Sequence, residues 1–316
     1  MLDAFLDKSI LGYTSLGYRW RPHPPIAADL TTKRAVVTGA TSGLGKAAAL
    51  GLAKLGAEVC LVGRNPDKAD RVRVEIASAT ENPNITVEIA DLSLMREVRD
   101  LASRLEGPIH LLVNNAGVLL PSRTETDEGI ETTLATNLLG HFVLTNALIP
   151  TLTESAPARI VNVSSGGMYT QGIRIRNLQM SHGRYDGTVA YARTKRGQVI
   201  LTERWADTLR DQGVIVHAMH PGWADTPGVE TSLPRFHRVT KPLLRSSEQG
   251  ADTIVWLCAA PEAAEKTGLF WHDRRPRPTD RSRRTVTSER DKQALWDALE
   301  ALADETSSVT SPPSKS

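Results

Sequence analysis

The chain predicts an α/β fold: one doubly wound parallel sheet of about seven strands in a single domain. Three observations predict it. From residue 34 onward, short apolar β-branched runs alternate with helical periodicities, the pattern of βαβ units whose strands are covered on both faces. A glycine-bearing loop, Thr38-Gly-Ala-Thr-Ser-Gly-Leu-Gly45, joins the first such run to the first helical one. Farther on, Tyr191 and Lys195 stand four residues apart, on one face of a predicted helix.

Residues 35–38 read as a short buried strand. The helix over 43–55 is apolar at Leu44, Ala47, Leu50, Ala53 and Leu55, and Gly56 ends it. Residues 59–62 form the second strand, a helix covers about 66–79, and residues 85–90 form the third strand. A helix over about 93–105 leads to the fourth strand at 109–114. A long helix is expected from about 127 to 152, then a fifth strand at 160–163. The helix bearing Tyr191 and Lys195 precedes a sixth strand at 214–219, and residues 268–271 are a candidate seventh. Right-handed crossovers turn this order into a Rossmann fold with one core.

The expected domain spans 32–290. Before it, an arm over 1–31 carries Phe5, Leu6, Leu11, Tyr13 and Tyr18, and Arg21-Pro-His-Pro-Pro25 interrupts any continuous helix. The arm reads as packed on the domain; a weak membrane-surface contact or a partner helix is the other use of its apolar residues. A C-terminal helix is expected over 291–303. The polar, proline-bearing residues 304–316 are expected to be disordered.

Among 316 residues, 40% are hydrophobic, enough for a sizeable core, and 38 basic residues nearly balance 36 acidic ones. A net charge of +2 offers no global field for nucleic acid. Cys60 and Cys258 both lie in apolar runs and read as buried free thiols of a reducing compartment. No run approaches the roughly 18 apolar residues of a spanning helix, and the first residues lack the basic region of a secretory signal. A cytoplasmic protein is the expectation. No Cys/His cluster has metal-ligand spacing, so no metal is expected. The arginines of 274–277 and 281–284 read as a solvated loop, with an anionic surface partner as the alternative.

The glycine loop is suited to a dinucleotide. Glycine permits close backbone approach, and the following helix start offers free N–H groups to a pyrophosphate. Cofactor contacts are expected from Gly39, Thr41, Ser42, Gly43, Leu44 and Gly45 in that loop, and from Arg64 and Asn65 after the second strand. Asp91 and Leu92 follow the third strand, Asn115, Ala116 and Gly117 the fourth, and Pro221 and Gly222 the sixth, all on one sheet edge. An enzyme using NAD usually carries an acid at the end of the second strand; here Gly63 stands there and Arg64 follows. A guanidinium can bind a 2′-phosphate bidentately. NADP(H) is therefore expected, with NAD(H) as the alternative. A phenol titrates near pH 10, about three units too high for acid/base work at neutral pH. An ammonium one helical turn away favours the phenolate and corrects part of that mismatch.

Together, the loop of residues 38–45, Asn114-Asn-Ala-Gly117, Asn137, Ser165, Tyr191-x-x-x-Lys195 and Pro221-Gly222 resemble the short-chain dehydrogenase/reductase (SDR) superfamily over about residues 32–272. The resemblance implies an oxidoreductase moving a hydride between nicotinamide and a small carbonyl or alcohol substrate. It implies that Tyr191 exchanges the proton and that Lys195 lowers its pKa and holds the nicotinamide ribose. Ser165 would bond the carbonyl oxygen, and Asn137 would anchor a water that continues the relay. Tyr191 and Lys195 would also touch the cofactor. Ser165 is preferred over Ser164 as the residue facing the substrate, by alignment alone. Ser165 and Tyr191 are 26 positions apart, about twice the separation in many members; the extra residues, 168–187, resemble those of retinol-dehydrogenase-like members and should form a loop beside the site. His220 and Trp223 either pack the loop around Pro221 or touch substrate, and Asp225-Thr-Pro227 opens a segment that is a substrate lid in similar enzymes. The resemblance leaves room for a homo-oligomer. A non-enzymatic dinucleotide sensor or scaffold is the competing reading, opposed by the complete Asn/Ser/Tyr/Lys set. Epimerase chemistry would need a larger C-terminal domain than this chain has.

Overall fold

The computed structural model describes Leu6, residues 9–225, Arg238 and residues 240–308. A 3-10 turn at Ile10–Tyr13 leads into the short helix α1 (Ser15–Arg19). Strands and helices then alternate: β1 (Arg34–Thr38), α2 (Gly43–Lys54), β2 (Glu58–Gly63), α3 (Pro66–Thr80), β3 (Ile85–Ile89), α4 (Met95–Arg104) and β4 (Leu111–Asn114). A helical turn at Thr132–Leu134 and a π-helical turn at Ala135–Leu139 open α5 (Gly140–Glu154). Next come β5 (Ala158–Val163), α6 (Gly187–Leu209), β6 (Val214–Met219), α7 (Ser247–Ala259), β7 (Phe270–His272), β8 (Arg275–Arg277) and α8 (Glu289–Ser308).

The strands form one eight-stranded sheet in the order β3-β2-β1-β4-β5-β6-β7-β8. All neighbours pair in parallel except β8, which runs antiparallel to β7. The chain leaves β1 in both directions, so the order reverses between β1 and β4. Crevices at such a reversal, outside the carboxyl ends of the strands, are where ligands bind in these sheets.

Alternate strand residues serve two apolar layers. Val36, Cys60, Val62, Leu112 and Ile160 face α4, α5, α6 and α8. Val37, Val59, Leu61, Val113 and Val161 face α2, α3 and α7. Both faces of the sheet are thus dry, which is why the strands read as continuous apolar runs. Small residues let α2 sit close: a Cβ on Gly51 would come within 2.6 Å of Val255 on α7.

Three elements differ from the sequence expectation. The long helix starts at Thr132, five residues later than expected, because Gly129 takes φ +75° and the Glu131 carboxylate caps the first turn at Thr133 and Leu134. An eighth strand follows the seventh. Its two-residue turn, Asp273-Arg274, has φ +50° and +56°, the hairpin geometry normally signalled by Asn-Gly or Asp-Gly; with no glycine, the turn was invisible locally. The arginines of 274–277 are accordingly not a solvated loop: Arg274 grips the Asp252 carboxylate at 2.6 and 2.8 Å, and the next three residues pair with β7. Finally, α8 runs to Ser308, into the stretch read as a tail; residues 309–316 lie outside the described residues.

The arm is stitched to the edge of the sheet where the parallel strands end. Arg21 and Arg245 converge on Asp273, and all three are buried. Arg245 also donates to the Gly12 carbonyl at 2.8 Å and to the Thr14 carbonyl at 3.2 Å, and Trp223 N–H donates to the Tyr13 carbonyl at 2.7 Å. Among the described residues no helix is long and apolar enough to cross a membrane.

Two predictions follow from this packing. Cys60 and Cys258 belong to opposite apolar layers, and burial pushes their thiols up to about 11 and about 12. A thiol reagent should find neither in the native protein and both after denaturation without reductant. Arg245→Met removes one of two cations from a buried carboxylate, and unfolding by urea should show a loss of about 3–5 kcal/mol. An unchanged midpoint would mean that the arm is held by other contacts.

Candidate active site

The carboxyl ends of β1, β4, β5 and β6 deliver the candidate residues to one edge. At β1, Gly39 and Gly43 take φ +65° and +53°. A Cβ on Gly45 would meet the Gly39 carbonyl oxygen at 2.3 Å and Asn115 Nδ2 at 2.4 Å, so only glycine fits. Ser42 is the N-cap of α2 yet its side chain makes no capping bond. The first-turn N–H groups therefore have no side-chain cap, the arrangement that suits a pyrophosphate.

Thr38 organises the floor. Its hydroxyl donates to the Val113 carbonyl at 3.2 Å and accepts from the N–H groups of Asn115 and Ala116 at 2.9 and 3.0 Å. The Asn115 amide donates to the Thr38 and Gly39 carbonyls, so it clamps the glycine loop. Asn65 likewise accepts from Lys68 N–H as the cap of α3. Asp91 accepts from both the N–H and the hydroxyl of Ser93, and Leu92 is buried in the core. Pro221 accepts from Arg245, and Gly222, at φ +77°, leaves room for that guanidinium. Several polar groups expected at the cofactor thus already have partners within the protein.

Arg64 is exposed just beyond β2. Gly63 is buried, and a Cβ there would lie 2.5 Å from the Thr41 methyl group. An acidic residue at this strand end would collide with the glycine loop as folded.

The chemical residues meet where α6 crosses β5. Ser164 is buried and donates its hydroxyl to the Lys195 carbonyl at 2.7 Å. Ser165 accepts from Gly167 N–H at 3.1 Å, and a Cβ on Gly167 would lie 3.5 Å from Ser165 Oγ and 4.0 Å from the Tyr191 ring, so the two side chains are neighbours. Of the two serines, Ser165 is the one beside the tyrosine. Burial raises the Tyr191 phenol above its usual value, while the Ser165 hydroxyl pulls it down. Lys195 lies 5.6 Å from the Tyr191 ring centre, and burial pushes its ammonium down to about 7. The side chain is buried and donates to the Val163 carbonyl at 2.7 Å and to Gln198 Oε1 at 3.2 Å.

Asn137 sits in the π-helical turn, a feature frequent at functional sites. Its side chain grips the loop after β4, accepting from Val118 N–H at 2.7 Å and donating to the Val118 carbonyl at 2.9 Å and to Thr194 Oγ1 at 3.1 Å. A Cβ on Gly117 would lie 3.3 Å from Asn137 Oδ1 and 3.5 Å from Lys195 Nζ. Asn137, Gly117 and Lys195 are therefore neighbours.

The sequence reading missed the polar column behind them. Asn114 donates to Asn162 Oδ1 and to Thr145 Oγ1 at 2.9 Å, and Asn162 donates to Thr202 Oγ1 at 2.8 Å. Gln198 reaches the Asn137 carbonyl at 2.7 Å and His141 Nδ1 at 3.0 Å. Their signal was present: Tyr191, Lys195, Gln198 and Thr202 recur at helical spacing within α6, and His141 and Asn162 interrupt apolar runs.

The residues between Ser165 and Tyr191 form 3-10 turns at Gly166–Thr170 and Ile175–Asn177 and then a loop to Asp186, which caps α6. This segment leaves Ser165 and Tyr191 together. It bounds a cleft of about 590 Å³ lined by Leu119, Pro121, Arg184, Tyr185 and Thr188. His220 packs the loop: its Nδ1 accepts from Gly222 N–H, and its ring stacks on His272 at 3.9 Å. Asp225 N–H donates to the Arg245 carbonyl; Thr226 and Pro227 of the expected lid lie outside the described residues.

A family model described as short chain dehydrogenase matches residues 33–235. The chain is 42% identical over 308 residues to Dehydrogenase/reductase SDR family member 12 of Bos taurus, covering 95% of this chain and 96% of that one. It is 36% identical over 270 residues to Retinol dehydrogenase 12 of Mus musculus, covering 84% of each. One similar solved structure is assigned as an NAD(P)-dependent gluconate 5-dehydrogenase from Beutenbergia cavernae, with NADP bound at low occupancy. It aligns with a TM-score of 0.64 and 26% identity, covering 78% of this chain and 96% of that one. A family match over most of the chain, on a sheet whose glycine loop and Ser165–Tyr191 pair meet at one edge, makes this protein a member of the short-chain dehydrogenase family.

Proposed function

We propose that the protein is an NADP(H)-dependent oxidoreductase acting on a small carbonyl or alcohol, with Tyr191 as general acid/base. The observation that carries the proposal is the meeting of Ser165, the Tyr191 phenol and the buried Lys195 side chain at one place on the sheet edge. When bound, the nicotinamide dinucleotide supplies or accepts the hydride. The residues that would hold it are Gly39, Thr41, Ser42, Gly43, Leu44 and Gly45 around the α2 terminus, Arg64, Asp91 and Leu92, the Asn115-Ala-Gly117 turn, and Pro221-Gly222. The glycine loop fits a diphosphate because the first-turn N–H groups of α2 have no side-chain cap.

For reduction, Ser165 donates a hydrogen bond to the substrate oxygen and Tyr191 transfers its proton there. Negative charge then develops on the phenol oxygen, in a site where burial already disfavours it. Lys195 offsets that cost by Coulomb attraction, which is worth more at low dielectric than in water. For oxidation the same groups act in reverse. Asn137 holds the loop carrying Gly117 against this pair. The substrate would enter past Leu119 and Thr188, since the cleft there begins one turn before Tyr191.

NADP(H) is preferred to NAD(H) on two supports: Gly63 leaves no place for an acid, and Arg64 is exposed beside it. A reducing, cytoplasmic setting is the companion proposal, supported by two buried free cysteines.

Two measurements test these assignments. Tyr191→Phe should lower turnover of a carbonyl substrate by at least about 100-fold while leaving NADPH affinity nearly unchanged; near-normal turnover would remove Tyr191 from the chemistry. Arg64→Ala should weaken NADPH by roughly 10- to 100-fold, the value of a charge-assisted bond of about 1.5–3 kcal/mol, and leave NADH binding alone. Equal or tighter NADH binding by the native protein, unaffected by the substitution, would refute the cofactor preference.

A further inference from the structure

Gln198 is not among the residues that the family resemblance assigns, yet it lies at the centre of the polar groups behind the site. It stands one turn beyond Lys195 on α6 and is 2% exposed. Its Oε1 accepts from Lys195 Nζ at 3.2 Å, and its Nε2 donates to the Asn137 backbone carbonyl at 2.7 Å. These partners determine the amide's orientation: an ammonium can only donate and a carbonyl can only accept, so oxygen must face Lys195 and nitrogen Asn137. The π-helical turn explains why the carbonyl is available, since it perturbs the regular helical bonding around Asn137.

We propose that Gln198 is a positioning residue for the proton transfer: its amide bridges Lys195 to Asn137 and holds the ammonium against Tyr191. The inference rests on the assignment of Tyr191 and Lys195 above. Lys195 has no carboxylate partner among the described residues. The titratable side chains facing it are Tyr191 on its own helix and His141 on α5; burial and the Lys195 charge push the His141 ring down to about 3, so it is neutral. The charged ammonium is thus sustained by two neutral acceptors, the Val163 carbonyl and the Gln198 amide. An amide neither gives nor takes a proton at neutral pH. In this chain the contact between Lys195 and the Asn137 carbonyl is therefore a fixed bridge.

A hydrogen bond to the charged form raises the pKa of an amine, and its loss lowers it. Gln198→Met keeps the length of the side chain and removes its bonds to Lys195, Asn137 and His141. In the cofactor-free protein, carbon-13-labelled lysine, with the Lys195 resonance assigned through Lys195→Arg, should show Lys195 titrating about one unit lower. In turnover, the high-pH limb should move to lower pH by the same amount. Gln198→Glu keeps an acceptor facing the ammonium and adds charge, and should move both readouts to higher pH than Gln198→Met. Thermal unfolding identifies any variant that has lost its fold. A folded Gln198→Met with native Lys195 titration overturns the proposal, as do equal displacements in the Met and Glu variants. If Lys195 shifts as expected but Tyr191→Phe still turns over, the bridge stands and the assigned chemistry falls.

Discussion

An ammonium group inside the protein is the constraint from which much of the site follows. Lys195 is 3% exposed, on a helix packed against a sheet that is dry on both faces. Burying an unpaired charge is costly, and the usual remedies are a carboxylate partner or loss of the proton. Here the remedy is partial: burial brings the group down to about 7, and backbone and amide oxygens accept its hydrogen bonds. Those acceptors must be held rigidly, and the rest of the polar column does this. Ser164 binds the Lys195 carbonyl, Thr194 meets Asn137, and Asn162 meets Thr202. These bonds hold the column together without an ion pair, so Lys195 remains the main local charge.

The cofactor edge obeys a different constraint, which is steric. The glycine loop, the Asn115 turn and the end of β2 approach so closely that Gly39, Gly45 and Gly63 each lack space for a Cβ. Thr38 and Asn115 bind these loops by hydrogen bonds between neighbouring strand ends. The result is a close-packed set of loops around a helix start whose N–H groups have no side-chain cap. Arg64, just beyond it, is the exposed cation at the second strand end.

The periphery is locked to the same edge from both ends of the chain. The arm reaches it through Arg21, Arg245 and Asp273. The segment after β8 reaches it through Arg196, which binds the Thr279 carbonyl at 2.5 Å and also Asp280 and the Thr285 carbonyl. Because Arg196 directly follows Lys195 on α6, these bonds also fix the helix beside the candidate residues.

The sheet, and the edge on which the candidate residues gather, were legible in the sequence. Continuous apolar runs of strand length, helical runs of period 3.6 and glycines at strand ends are local signals, and each reflects a need that neighbouring residues alone can express. So was the Tyr191–Lys195 pair, because four residues make one helical turn. Tertiary structure alone decided which serine stands beside Tyr191, since both have the same local chemistry and differ only in what α6 places against them. It alone decided that Asp273-Arg274 turns a hairpin and that Arg245 binds the arm, because both depend on contacts far apart in sequence. It also set the charge balance at the site. Local spacing anticipated that Lys195 would pull the Tyr191 phenol down; the folded interior raises that phenol and lowers the lysine instead. Desolvation depends on everything packed around a group, and no local pattern records it.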